Sequence, residues 1–230
     1  MLGIIGAMDE EVAQVKEHME NVRVETRASM DFYQGTVYDH PVVVVRSGIG
    51  KVNAAICAQI LADRYQVDAI INTGIAGSLN ADINIGDIVL STDTVEHDMD
   101  AVSFGYPLGQ IPRMDTLSFA ADKKLRTVAK RVCEQVNPEV GVFEGRVVSG
   151  DQFISDKDKK QWLVEKFAGY CTEMEGAAIA HTAYLNEIPF LVIRAISDKA
   201  DDSASVDYPA FEAKAIEHSV KLLLALCKEL

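Results

Sequence analysis

Four consecutive valines, Val42 to Val45, lie inside the run Pro41 to Ser47. β-Branched residues favour strands, and a strand without polar alternation has to be buried on both faces. Something must therefore cover each side of the sheet that holds it. Similar runs recur at Leu2 to Ala7, Val67 to Thr73, Gly86 to Val95, Gly141 to Ser149 and Ile188 to Ile196. Phe32 to Tyr38 reads as a strand paired with the valine run through a turn at Asp39-His40. Between these runs come stretches with helical spacing or helix-forming composition: Glu10–Glu20, Lys51–Tyr65, Ala120–Val136, Asp156–Phe167, Glu175–Asn186 and Tyr208–Leu230. Strands alternating with helices predict an α/β fold, a mostly parallel or mixed sheet between helical layers. No repeat, low-complexity segment or linker interrupts the pattern, so residues 1–230 read as one domain.

The chain carries 22 basic and 35 acidic residues, a net charge of −13. Such a chain repels phosphate backbones and anionic lipid, which argues against nucleic-acid or membrane-surface partners. The longest stretch without Asp, Glu, Lys or Arg, Ala69 to Ala81, is well short of the roughly 18 residues that span a bilayer. The first residues lack the basic segment and long apolar core of an export signal, so a cytoplasmic location is expected. Cys57, Cys133, Cys171 and Cys227 are scattered and form no C-x-x-C pair. They read as packed, reduced thiols, and no metal site is expected.

In sheets of this kind ligands bind at the carboxyl ends of the strands. The unusual residues lie at those ends: Gly6 to Glu11, Ser47 to Lys51, Asn72 to Gly77, Ser149 to Ile154, and Arg194 to Asp198. Gly48-Ile49-Gly50 lacks the third glycine of the dinucleotide fingerprint, and Lys51 precedes Val52, which breaks the phosphate-loop pattern. Nicotinamide and nucleoside-triphosphate chemistry are thus poorly supported. Glu11, Glu175 and Asp198 stand out by context. Each alone could be a helix-terminal or turn-capping acid. Together they supply what N-glycosidic hydrolysis requires: a proton donor for the departing base, a group that activates water, and a holder of sugar hydroxyls. Phe153 adds a flat apolar face for a purine.

The segments GIIGAMDEE, SGIGKVNAA, INTGIAG, HDMDAVSFGYPLGQIP, SGDQFI, EMEGAAIAH and VIRAISD follow one another along the chain. In that order they resemble the 5′-methylthioadenosine/S-adenosylhomocysteine nucleosidases, from Leu2 to about Phe211. The resemblance implies a three-layer α/β/α fold around a mixed, partly barrel-like sheet, a homodimer, and no cofactor. It implies hydrolysis of methylthioadenosine and S-adenosylhomocysteine, and of 5′-deoxyadenosine, to adenine and the ribose product, within methionine salvage. Glu11 matches the base that activates water. Asp198, supported by Ser197, matches the acid that protonates purine N7 and bonds the exocyclic amine. Glu175 matches the ligand of the ribose hydroxyls, with Arg194 the cation near it. Met174 lies under the ribose with Glu173 beside it, and Phe153 with the Ile154 backbone matches the adenine clamp.

Met8, Ile49 and Tyr208 match the lining of the 5′-thioalkyl pocket. Ala101, Phe104, Tyr106 and Pro112 match the segment lent to that pocket by the partner subunit. Three positions depart from the family pattern. Ile75 replaces a small hydroxyl residue, Ala101 is smaller than usual, and Tyr208 is more polar. The alternatives are a purine nucleoside phosphorylase or a nucleosidase for another purine-containing metabolite. A phosphate nucleophile needs a cationic cradle, and in the N-terminal half only Arg46 adjoins a glycine turn.

Overall fold

A computed structural model describes the whole chain, Met1 to Leu230. It runs β1 (Leu2–Gly6), α1 (Asp9–Glu17), β2 (Glu20–Arg27), β3 (Met30–Val37), β4 (His40–Arg46) and α2 (Lys51–Ile60). A π-helical turn, Leu61–Tyr65, prolongs α2. Then follow β5 (Ala69–Ser78), β6 (Ile88–Glu96), β7 (Phe119–Ala120), α3 (Lys123–Val136), β8 (Val142–Ser149) and α4 (Lys157–Phe167). The chain ends with β9 (Cys171–Glu173), α5 (Gly176–Leu185), β10 (Phe190–Asp198) and α6 (Ala204–Glu229).

All ten strands join one mixed sheet. Five close into a barrel: β5 pairs β10 in parallel, β10 pairs β6 antiparallel, β6 pairs β8 and β8 pairs β9 in parallel, and β9 returns antiparallel to β5. From β5 the sheet extends outward through β1 and β4 to β3 and β2. The valine strand β4 lies between β1 and β3, and all four valines are fully buried. Helices α1, α3 and α6 pack as one group and α2 with α5 as another, which gives the expected layers.

Strands β7 and β9 are not expected from the sequence, and α6 starts at Ala204 instead of Tyr208. Three further details differ. Strand β2, ENVRVETR, is unannounced because its short alternation of Val22, Val24 and Thr26 with charged residues faces no core, and nearly all of its residues, both valines included, are exposed. It is held by backbone pairing to β3, and its charges suit an open sheet edge. The β3–β4 turn is Tyr38-Asp39 rather than Asp39-His40. Both residues have positive φ (49° and 64°), as a two-residue hairpin turn requires, and His40 already pairs with Val37. Strand β10 runs two residues beyond Ile196, so Ser197 and Asp198 belong to the barrel wall and not to a loop. The stretch from His97 to Ser118 is irregular apart from a short 3-10 turn, Val102–Phe104.

Candidate active site

Glu11 is the third residue of α1, and its side chain caps the helix by accepting from the backbone N–H of Met8 at the N-cap. Unlike an ordinary capping acid it is turned inward, and it is 5% exposed. Its Oε2 accepts from the amides of Ala7 (2.6 Å) and Met8 (3.0 Å), and Oε1 from the amide of Ile75 (3.2 Å). Burial raises its pKa above the ordinary value, against the opposing pull of Arg194 and these three amides. The group is therefore a fixed carboxylate of raised basicity. The donor at position 75 is a backbone amide, so the Ile75 side chain leaves that contact intact.

Glu173, at the end of β9, and Arg194, in the middle of β10, form a fully enclosed ion pair. Glu173 also accepts from the Ser149 hydroxyl and from the amides of Glu175 (3.1 Å) and Gly176 (2.7 Å). Burial would raise its pKa, but Arg194 and these donors overcome that and hold it below the usual value. Arg194 donates further to Asn72 Oδ1 (2.5 Å) and the Ile193 carbonyl (3.0 Å). Its direct partner is thus Glu173, and it reaches Glu175 only through its field. Glu175, at the start of α5, accepts from the Gly50 amide (2.8 Å). Burial first, and the charge of Glu173 second, push its pKa up to about 8.

Asp198 closes β10. Its Oδ1 accepts from the Ala200 amide (2.7 Å) and Oδ2 from the Ser197 hydroxyl (2.8 Å). Burial raises its pKa, opposed mainly by those two donors. From the sequence, Arg194 or Lys199 would be expected to oppose the rise. Instead Lys199 is turned away to the Ile83 carbonyl, and Arg194 is committed to Glu173 and Asn72.

A cavity of about 490 Å³ lies over these groups. Met8, Glu11, Ile49, Ile75, Phe153, Ile154, Glu173, Met174, Glu175, Ser197, Asp198 and Tyr208 all line it. Arg194 sits beneath the lining, while Ala101, Phe104, Tyr106 and Pro112 lie outside it on the irregular stretch. Ala7, Ala76, Gly77, Gln152, Thr172, Ser205 and Pro209 also line the cavity, though no sequence motif singles them out individually. Phe153 is half exposed at the mouth and meets Tyr208 edge-on, ring centroids 5.9 Å apart. The Tyr208 hydroxyl approaches Met8 Sδ (3.5 Å) and donates to Glu212 (3.1 Å). Ile154 is buried, and neither its N–H nor its C=O takes a backbone partner, so the two are available to a ligand.

The lining holds four carboxylates and no Lys or Arg. Arg46, the one cation beside a glycine turn, lies outside it and pairs with Asp9 (3.3 Å). No cluster of three or more His, Cys, Asp or Glu side chains has the arrangement of a metal site. What the cavity offers is a flat apolar ring face at Phe153 and buried carboxyl groups of raised pKa at Glu11 and Asp198. Either group can accept or give up a proton.

A family model described as the Phosphorylase superfamily matches residues 1–228. The 5′-methylthioadenosine/S-adenosylhomocysteine nucleosidase of Staphylococcus carnosus is 41% identical, with all of both chains covered. The crystal structure of the Neisseria meningitidis nucleosidase of that name, in complex with methylthio-immucillin-A, superposes with a TM-score of 0.96 at 36% identity, covering 100% of this chain and 99% of that one. A futalosine hydrolase of Helicobacter pylori superposes at 0.94 with 32% identity, covering 100% and 97%. The chain belongs to the 5′-methylthioadenosine/S-adenosylhomocysteine nucleosidase family.

Proposed function

We propose that this chain is an N-glycosyl hydrolase that cleaves 5′-methylthioadenosine and S-adenosylhomocysteine, and also 5′-deoxyadenosine, to adenine and the corresponding ribose. The observation that carries this is a lining with four carboxylates and no cation. Water suits such a site as nucleophile, and phosphate does not.

Adenine stacks on Phe153, with its N1 accepting from the Ile154 N–H and its amine donating to the Ile154 carbonyl. Asp198 carries a proton to N7 as the bond from N9 to C1′ stretches, so the base leaves neutral. Met174 lies under the ribose, and Glu175 holds its hydroxyls. Glu11 takes a proton from a water whose oxygen bonds to C1′. Both carboxyl groups suit these tasks because burial raises their proton affinity. The Glu173–Arg194 pair fixes the turn that presents Glu175. Met8, Ile49 and Tyr208 form the apolar end that receives the 5′-thioalkyl group.

The protein acts as a homodimer of one-domain subunits, in which Ala101, Phe104, Tyr106 and Pro112 complete the partner's pocket. Val102 and Phe104 are exposed, as are Val52 and Ile56 one turn apart on α2, and such apolar surface suits a contact face. Four buried, unpaired thiols suit the reducing cytoplasm. The test is adenine release from each substrate with and without phosphate. Release independent of phosphate is expected, and strict phosphate dependence would overturn the hydrolase. Futalosine in the same assay checks the activity named for the Helicobacter pylori neighbour.

A further inference from the structure

Gly50 is the N-cap of α2 and has no side chain with which to cap it. The amides at a helix start still need acceptors. Two carboxylates from distant parts of the chain supply them. Glu175 Oε1 takes the Gly50 N–H (2.8 Å), and Asp151 Oδ1 takes the Lys51 N–H (2.8 Å). Only glycine suits position 50, where φ is +95° and a Cβ would lie 3.1 Å from Asp151 Oδ1.

Asp151 is also held through its own main chain. Its N–H donates to Asp98 Oδ2 (3.0 Å), and Asp98 Oδ1 accepts from Lys51 Nζ (2.7 Å). Lys51 Nζ donates further to Glu96 Oε2 (3.0 Å). The bonds close a ring: Lys51 main chain to Asp151, Asp151 main chain to Asp98, Asp98 to the Lys51 side chain. Its members lie just beyond the ends of β4, β6 and β8. Burial would raise the Asp98 pKa, but Lys51 and the Asp151 amide hold it below the ordinary value, so Asp98 is charged near neutral pH.

The two sides of this ring bear on different parts of the ligand. Just before Lys51 is the amide that fixes Glu175, the group assigned above to the ribose hydroxyls. Just after Asp151 come Phe153 and Ile154, assigned to adenine. We infer that Asp151 is a positioning residue, which sets the register between the sugar-holding carboxylate and the adenine clamp. It does not line the cavity itself. This role rests on the adenine and ribose contacts proposed above.

The test measures adenine affinity by titration calorimetry, and kcat/KM for methylthioadenosine, in Asp151→Ala and Asp151→Asn. A free base can follow a shifted Phe153–Ile154 segment, whereas a nucleoside must meet that segment and Glu175 together. Asp151→Ala should therefore bind adenine like the parent while kcat/KM falls about ten- to a hundred-fold, the scale of a misplacement of about 1 Å. Asparagine keeps an oxygen for the Lys51 amide, so Asp151→Asn should recover most of that loss. Asp98→Ala, which leaves Lys51 its partner Glu96, replaces Asp151→Ala if the latter does not fold, with Asp98→Asn as its conservative control. An alanine variant within a few-fold of the parent would overturn the inference. So would an asparagine variant no better than alanine, or an adenine affinity that falls as far as kcat/KM. Failure of the hydrolase reading would appear elsewhere, as a parent that releases no adenine from its nucleosides.

Discussion

Gly74 faces Glu11 so closely that a Cβ at position 74 would lie 2.5 Å from Glu11 Oε1 and 3.1 Å from its carboxyl carbon. Real side chains do not come that near. Gly77 stands in the same relation to Asp198 three residues further along β5. Neither glycine has a positive φ, so neither is there for an unusual backbone conformation. They are there for space. The segment INTGIAG is a strand end cleared so that two carboxyl groups can lie against it.

Gly74→Ala should therefore damage the site through Glu11. The new methyl group pushes the carboxylate off the Ile75 amide, and a displacement of about 1 Å at a reacting group can cost on the order of 10²-fold in rate. A fall of that size in kcat/KM is expected, with stability reduced by about 1–3 kcal/mol as for other overpacked sites. Steady-state kinetics and denaturant melts measure the two effects. Activity within a few-fold of the parent would show that Glu11 does not need this clearance.

The sheet is legible in the sequence where burial writes it. Val42 to Val45 and Val67 to Thr73 can only be covered strands, and their ends carry Gly48, Gly50, Gly74 and Gly77. Strand β2 is barely legible, because on an exposed edge its only signal is the short alternation of Val22, Val24 and Thr26 among charged residues. Barrel closure depends on β9, three residues long, and on the pairing of β5 with β10 across more than a hundred residues of chain. No local signal specifies either. Glu11, Glu175 and Asp198 are visible because each charge adjoins an apolar run. The pairing of Arg194 with Glu173, and not with Glu175, depends on how β9 and β10 meet in space.

Stability should fall as the pH rises from about 4.5 toward 8. Glu175 in the folded protein holds its proton up to about 8, against an ordinary value of 4.5. Between those values the folded state binds a proton that the unfolded state has released, so raising the pH favours unfolding. Glu173 acts in the opposite sense and lower down. Its folded pKa lies below 4.5, so its contribution is present above 4.5 and is lost as the pH falls through the folded value. Glu175→Gln should flatten the decline between pH 4.5 and 8, and chemical denaturation across that range is the measurement. An unchanged slope in the variant would mean that Glu175 is ionised in the folded protein.

Phe104 is 84% exposed on the irregular stretch between β6 and β7. If it enters the partner's pocket, Phe104→Asp should place a charge in an apolar interface. The variant should shift toward monomer by light scattering at assay concentration and lose most of its activity, while retaining the parent's far-ultraviolet circular dichroism. A fully active monomer, parent or variant, would remove the partner contribution from the site.

Asp198→Asn separates proton transfer from hydrogen bonding. Asparagine keeps the shape of the side chain, and its amide can still donate a hydrogen bond to N7. It cannot give up a proton, so adenine would have to leave as an anion. The carboxyl group is suited to the acid role by its surroundings: burial raises its pKa, while Ser197 and the Ala200 amide hold its two oxygens in place. With Lys199 turned away, no lysine Nζ beside it favours early ionisation. Loss of a general acid costs about 10²–10⁴-fold, and that loss should fall on kcat for methylthioadenosine, with binding of the sugar half little changed. A thioriboside whose leaving group departs as a stable anion needs no proton. On that substrate the variant should recover most of the parent's rate. An equal defect on both substrates would take Asp198 out of the acid role and leave it as a residue that only orients the base.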